Sequence, residues 1–172
     1  MREVSATKGG IDGAIITAMT VRIQTDDFDL SAEAAQLRMA DGNTGAVVSF
    51  VGTVRETGGV LCMELEHYPG MTEAAIEAMV AAARSRFGIQ AATVIHRVGK
   101  LAAREQIVAV LVAARHRGAA FQACEFLMDY LKTQAPFWKK EYTATGAEWV
   151  DAREADDAAL ARWGVATTGN AA

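Results

Sequence analysis

Cysteine is scarce: the 172 residues hold only Cys62 and Cys124. They lie far apart, with no C-x-x-C pair and no histidine cluster nearby, so neither a zinc site nor a disulfide framework is indicated. Both read as reduced thiols inside the apolar patterns of a cytoplasmic protein. An excess of positive charge is lacking as well. At a formal net charge of −4 the chain offers no basic field for nucleic acid or an anionic membrane, so any anion site has to be local. Nothing approaches the roughly 20 apolar residues of a membrane-spanning helix. The short apolar run from Ala14 to Met19 is spoiled as a signal peptide by Asp12 and by glycines. Neither G-x-G-x-x-G nor G-x-x-x-x-G-K-S/T occurs, which removes the usual dinucleotide and P-loop readings.

What is present is a folding composition, with 51% hydrophobic and 22% charged residues, enough for one good core and too little for two ordinary ones. The boundaries expected are a flexible N-terminal extension over 1–18, one domain over 19–163, and a flexible tail over 164–172. Within the domain, TVRIQT (20–25) alternates as a half-buried strand. DLSAEAAQLRMA reads as a short helix capped by Ser31, with Glu33 in its first turn. GAVVSFVGTV (45–54) has so little polar alternation that it predicts a strand covered on both faces. VLCMELEHY alternates, placing Leu61, Met63 and Leu65 opposite Cys62, Glu64 and Glu66.

PGMTEAAIEAMVAAARSRFG carries the clearest helix, with Thr72 as its cap, an apolar stripe of Ile76, Met79, Val80, Ala83 and Phe87, and Gly88 as its stop. AATVIHRVG and QIVAVLVAAR are two further strands, separated by a loop containing Gly99 and Lys100. A second helix over about 118–133 turns Phe121, Cys124, Met128 and Leu131 inward and cannot continue through Pro136. FWKKEYT and EWVDA pair as a small hairpin, and READDAALARW closes the domain as a helix. The sum is an α+β fold, a sheet layered with helices.

Three places carry chemistry. An apolar strand ends in Arg115-His116-Arg117 just where a helix begins, so guanidinium groups stand beside unpaired backbone N–H groups and a positive dipole end. That suits phosphate, and equally an ordinary solvated strand end. Arg55 also ends an apolar strand and extends the same site if the two strands are neighbours, but from these residues alone an ordinary exposed arginine is the better reading. Lys132, at a helix C-terminus, is favoured there by the dipole in any case. Alternation after Pro136 puts Phe137, Lys139 and Glu141 on one face and Trp138, Lys140 and Tyr142 on the other. Lys139 is then sheltered by aromatics, while Lys140 is solvated. Amines gathered near other cations lose basicity and become usable as nucleophiles or proton shuttles. His67 and His96, each within a strand pattern, read as hydrogen-bonded structural histidines.

The motifs taken together resemble the MoaE family, the large catalytic subunits of molybdopterin synthase. The matching segments are GAVVSFVGTVR (45–55), MELEHYPGMTE (63–73), VIHRVGKL (94–101), HRGAAFQACEFLMDYLKTQAPFWKKE (116–141) and WVDAR (149–153). They run in family order across about residues 20–163. The resemblance implies an α/β hammerhead-type core with a small additional β-containing subdomain. It implies a sulfurtransferase that converts cyclic pyranopterin monophosphate (precursor Z) into the molybdopterin dithiolene. The sulfur comes from the C-terminal Gly-Gly thiocarboxylate of a small ubiquitin-like MoaD-type partner, and the assembly is a homodimer within a heterotetramer. No cofactor, metal or cysteine of this subunit is required.

Carried over by motif, Lys132 in DYLKT and Lys139 in FWKKE match the family's catalytic lysines. Arg55, His116, Arg117 and Arg153 match its substrate-binding residues, Arg153 being supplied to the neighbouring subunit. Phe50 and Met128 match residues of the partner-tail channel. Two other readings are a nonenzymatic holder of a Gly-Gly tail and a small phosphate-binding regulatory domain. The second explains RHRG but not DYLKTQAPFWKKE, and the retention of both lysines and the His-Arg pair favours an active enzyme over the first.

Overall fold

The computed structural model describes residues 19–150 and 162–164. The extension over 1–18, most of the expected terminal helix and the tail beyond 164 lie outside the described residues. Among the described residues, eight strands form two sheets. The first has the order β1-β4-β6-β2, from Met19–Gln24, Ala91–Arg97, Gln106–Ala114 and Ala46–Thr53. Its β1 and β4 run parallel, and the other neighbours antiparallel. The second sheet, β5-β3-β7-β8, is antiparallel and built from Gly99–Ala102, Val60–His67, Phe137–Thr143 and Gly146–Val150.

Among the described residues, three α-helices, α1 (Leu30–Met39), α2 (Met71–Phe87) and α3 (Arg117–Thr133), cover the first sheet. Strand periodicity divides its core in two. Ala92, Val94, Val108, Val110 and Val112 face α2 and α3, where Ile76, Met79, Val80, Ala83, Phe126 and Leu127 pack. Ala91, Ile95, Ala109, Leu111 and Ala113 face α1, with Phe28 and Leu37. Every residue of β4 is buried, as expected of a strand with helices on both sides. The second sheet has a smaller core of Val54, Val60, Leu65 and Leu101.

Several local expectations are corrected. The doubly covered strands are β4 and β6, whereas β2 lies at the sheet edge and leaves Phe50 39% exposed. The Gly99–Lys100 loop is a strand, β5, paired to β3 in the second sheet. Asp29, two residues before Ser31, caps α1 by accepting from the N–H groups of Ser31 and Ala32. The N-cap of α2 is Gly70, two residues before Thr72, and its N–H donates to Glu73 at 2.7 Å. Phe121 is 62% exposed; the inward face of α3 is carried by Ala120, Ala123, Cys124, Phe126, Leu127 and Leu131. Gly45 is one position where glycine is required, because a Cβ there would collide with the carbonyl of Arg115.

The described fragment 162–164 is docked against α2 and α3. Trp163 stands edge-on to Phe87 and Phe126, its indole N–H donates to Asp129 at 2.7 Å, and Arg86 donates to its carbonyl. Arg162 completes the contact with Asp129 and Glu125. Among the described residues, no helix is long and apolar enough to cross a membrane.

Candidate functional site

The direction of α3 decides which cations can meet. Its N-cap is His116, in extended conformation and without a side-chain capping bond, and Arg117 is its first residue; both are exposed. The helix then runs back over β6, and the Cys124 thiol comes within 3.8 Å of the Val110 carbonyl. From there to Lys132 the helix advances about 12 Å, and from Val110 back to Gln106 the strand covers about 13 Å. Lys132 is therefore level with the Gln106 end of the sheet.

Arg55 belongs to that same end. β2 and β6 are indeed neighbours, but they pair antiparallel, with Ala46 opposite Ala114 and Thr53 opposite Gln106. Arg55 leaves the ladder beside Gln106, whereas His116 and Arg117 stand roughly 25 Å away beyond its other end. The two strands are neighbours, yet Arg55 does not extend the His116-Arg117 cradle within one chain; it is an exposed arginine at the opposite end. Arg117 and Lys132 are likewise separated by about 22 Å of helix.

Lys139 completes the first group. It lies half-buried on β7, opposite Leu65, on the face shared with Phe137. Phe137 stacks on His96 at the end of β4, the rings 3.8 Å apart at 16°. His96 pairs across the ladder with Val108, again near the start of β6. Arg55, Lys132 and Lys139 thus stand at one end of the first sheet and His116 with Arg117 at the other. Phe50 is presented on the exposed edge strand, and Met128, half-buried, sits one turn before Lys132 on α3. Arg153 lies outside the described residues.

The neighbour Lys140 is not merely solvated: its ammonium is 5.5 Å from the Tyr142 ring centroid and 5.4 Å from that of Trp149. A hollow of about 390 Å³ bounded by Glu66, His67, Tyr68, Trp138 and Trp149 opens beside these aromatics. Neither lysine of the candidate site lines it.

The structural reading of the histidines holds. His67 lies 3.5 Å from Glu73, and His96 is buried, its Nδ1 2.8 Å from the Arg97 carbonyl. A carbonyl only accepts, so this nitrogen carries the proton. Burial pushes the His96 pKa down to about 4; the bond to Arg97 opposes this, and the nearby charges of Lys139 and His67 add to it. The ring is consequently neutral when folded, while an unfolded histidine takes its proton near 6.5.

The unfolded state therefore binds more protons between these values, and stability falls as pH drops from about 6.5 to about 4, by up to about 3 kcal/mol. Denaturant unfolding across that window should show a steeper loss for the wild type than for His96→Phe. Parallel pH slopes for the two would contradict the assignment. Burial also raises the Cys124 thiol to about 11, which keeps it out of nucleophilic chemistry at neutral pH.

The comparisons with known proteins agree on one family. The model of the MoaE protein family matches residues 23–134. The molybdopterin synthase catalytic subunit of Ralstonia nicotianae is 61% identical over 151 residues, covering 86% of each chain.

The chain belongs to the MoaE family.

The solved molybdopterin biosynthesis MoaE protein of Burkholderia ambifaria superposes with a TM-score of 0.76 at 60% identity, over 86% of this chain and 99% of that one. The molybdopterin synthase structure from Staphylococcus aureus, 28% identical, has a TM-score of 0.69 and covers 75% of this chain and 95% of that one. The mixed α+β fold expected from the order of the elements is the fold found, and MoaE structures are its neighbours. The MoaE family match takes in Arg55, His116, Arg117 and Lys132 and ends before Lys139.

Proposed function

We propose that this chain is the catalytic subunit of a cytoplasmic molybdopterin synthase. It transfers sulfur from the C-terminal thiocarboxylate of a small MoaD-type partner to precursor Z, forming the dithiolene of the molybdenum cofactor. The observation that carries the reading is the 61% identity, over most of both chains, with a protein of that activity. The two unpaired thiols suit a reducing compartment.

The chemistry asks for two things. A pterin bearing a cyclic phosphate needs fixed positive groups, and an acyl-sulfur donor needs an amine that moves a proton or briefly takes the acyl group. Lys132 supplies that amine, and Lys139 assists. Arg55, His116, Arg117 and Arg153 hold anions, and Phe50 and Met128 flank the path of the incoming tail.

One chain does not complete this set, because its His116-Arg117 pair stands at the wrong end of α3. A twofold partner running antiparallel to the first brings its own His116 and Arg117 to the Lys132 end, and the operation necessarily works both ways. The working unit is accordingly a homodimer with two composite sites, each served by one small partner. Reconstitution tests the activity: the purified chain, thiocarboxylated partner and precursor Z should yield dithiolene. Binding of the partner's Gly-Gly tail without sulfur insertion would instead identify a holder protein.

A further inference from the structure

Lys132 and Lys139 are joined by six residues in which a helix gives way to a strand of another sheet. α3 ends at Thr133, its C-cap Gln134 donates its N–H to the Tyr130 carbonyl at 2.8 Å, and β7 begins at Phe137. A junction of this kind has no ladder of its own to fix it. Two side chains from elsewhere in the fold hold it.

The first is Thr72, in the opening turn of α2 and fully buried. Its hydroxyl accepts from the Tyr68 N–H at 3.0 Å and donates to the Pro136 carbonyl at 3.2 Å. It thus ties the start of α2 to the Pro136 carbonyl, 64 positions on from Thr72 in the chain. The second is His96. Its ring is fixed in orientation by the bond to the Arg97 carbonyl and lies flat against Phe137, the next residue after Pro136. Phe137 and Lys139 share a face of β7, about 7 Å apart along the strand. β7 pairs with β3 from Phe137 onward, with Phe137 opposite His67 and Lys139 opposite Leu65, so the junction sets how the first rung of that ladder is entered, two residues before Lys139.

We propose that Thr72 and His96 are positioning residues that pin Pro136 and Phe137 and so set where the Lys139 ammonium stands relative to Lys132. This rests on the two lysines being the working amines of the site. Thr72 alone would be read as a residue that tidies a helix start, and His96 alone as core. Their convergence on two successive residues between the lysines separates the proposal from those readings.

The test uses the assembled enzyme with thiocarboxylated partner and precursor Z, at a temperature where circular dichroism shows every variant folded. Thr72→Val keeps the side-chain size and loses both hydrogen bonds; His96→Leu keeps apolar bulk and loses the stack. Each should lower kcat by about 10- to 100-fold with KM within a factor of about 3, the pattern of a misplaced group rather than a lost binding contact. Thr72→Ser, which keeps the hydroxyl, and His96→Phe, which keeps a flat ring, should recover most of that loss.

Acylation by a soluble active ester, followed by mass spectrometry, gives a second readout. The ratio of labelling at Lys139 to that at Lys140, its neighbour on the opposite face, should change in the two disruptive variants and return in the two conservative ones. Wild-type kcat and labelling ratio in Thr72→Val and His96→Leu, with Lys132→Ala inactive, would overturn the clamp and leave the function standing. Losses that the conservative variants do not recover would overturn it too. Normal turnover by Lys132→Ala would remove the function reading and the clamp together.

Discussion

Replacing Lys132 with alanine is expected to lower sulfur insertion by about 10³-fold or more, in the upper part of the range for loss of a proton-transfer or nucleophilic group, while the small partner still binds. The expected separation of the two effects follows from where the residue sits. Lys132 is an exposed side chain in the last turn of α3. The helix dipole favours a cation there by about 0.3–1 kcal/mol, and exposed substitutions cost little in general, so the variant should fold and melt close to the wild type. Phe50 and Met128, proposed to flank the path of the tail, are untouched by the change. Single-turnover formation of dithiolene and calorimetric titration with the small partner measure the two quantities separately. Full turnover would refute the assignment, and loss of partner binding would show that Lys132 serves docking instead.

Arg117→Ala is expected to reduce kcat/KM by about 10²-fold, the scale of removing one preorganised group that stabilises developing negative charge. What makes this informative is distance. In its own chain Arg117 is about 22 Å of helix away from Lys132, too far for direct action on the same substrate. It is also exposed, so its removal should cost little stability, as for most surface substitutions. A large kinetic effect from such a residue requires a second chain to carry it to the site. An activity close to wild type would instead leave the Arg115-His116-Arg117 run as a solvated strand end.

The residues that sequence reasoning placed well are those whose neighbours repeat. β4 and β6 are legible because both their faces are covered and their apolar runs are nearly unbroken. The stripe of α2 is legible because its period is that of a helix facing one core. β2 shows the limit: its run is equally apolar, yet it lies at an edge, and composition does not distinguish a covered strand from one awaiting a partner. β5 escaped notice because four residues including Lys100 become a strand only by pairing with β3. The helix caps were misassigned by two residues at Ser31 and Thr72, since a hydroxyl in a first turn looks locally like a cap.

The site was legible as a set of residues and not as an arrangement. Arg55 and Arg117 both end apolar strands, and only the antiparallel pairing of β2 with β6 reveals that they point to opposite ends. Strand alternation separates Lys139 from Lys140 correctly, but not their surroundings: both are half-buried, and it is Lys140 that lies against the rings of Tyr142 and Trp149. The part of Thr72 in holding Pro136, 64 residues away, has no local signature at all.

Mixed dimers carrying Lys132→Ala in one protomer and Arg117→Ala in the other test the composite site most directly. Alone, each variant should be nearly inactive. Co-expressed in equal amounts and paired at random, they should recover about a quarter of wild-type activity, because about half the dimers are mixed and each of those contains one intact Lys132–Arg117 combination. Recovery near that value is what two sites shared across a twofold predict; no recovery, with mixed dimers demonstrably present, would contradict it.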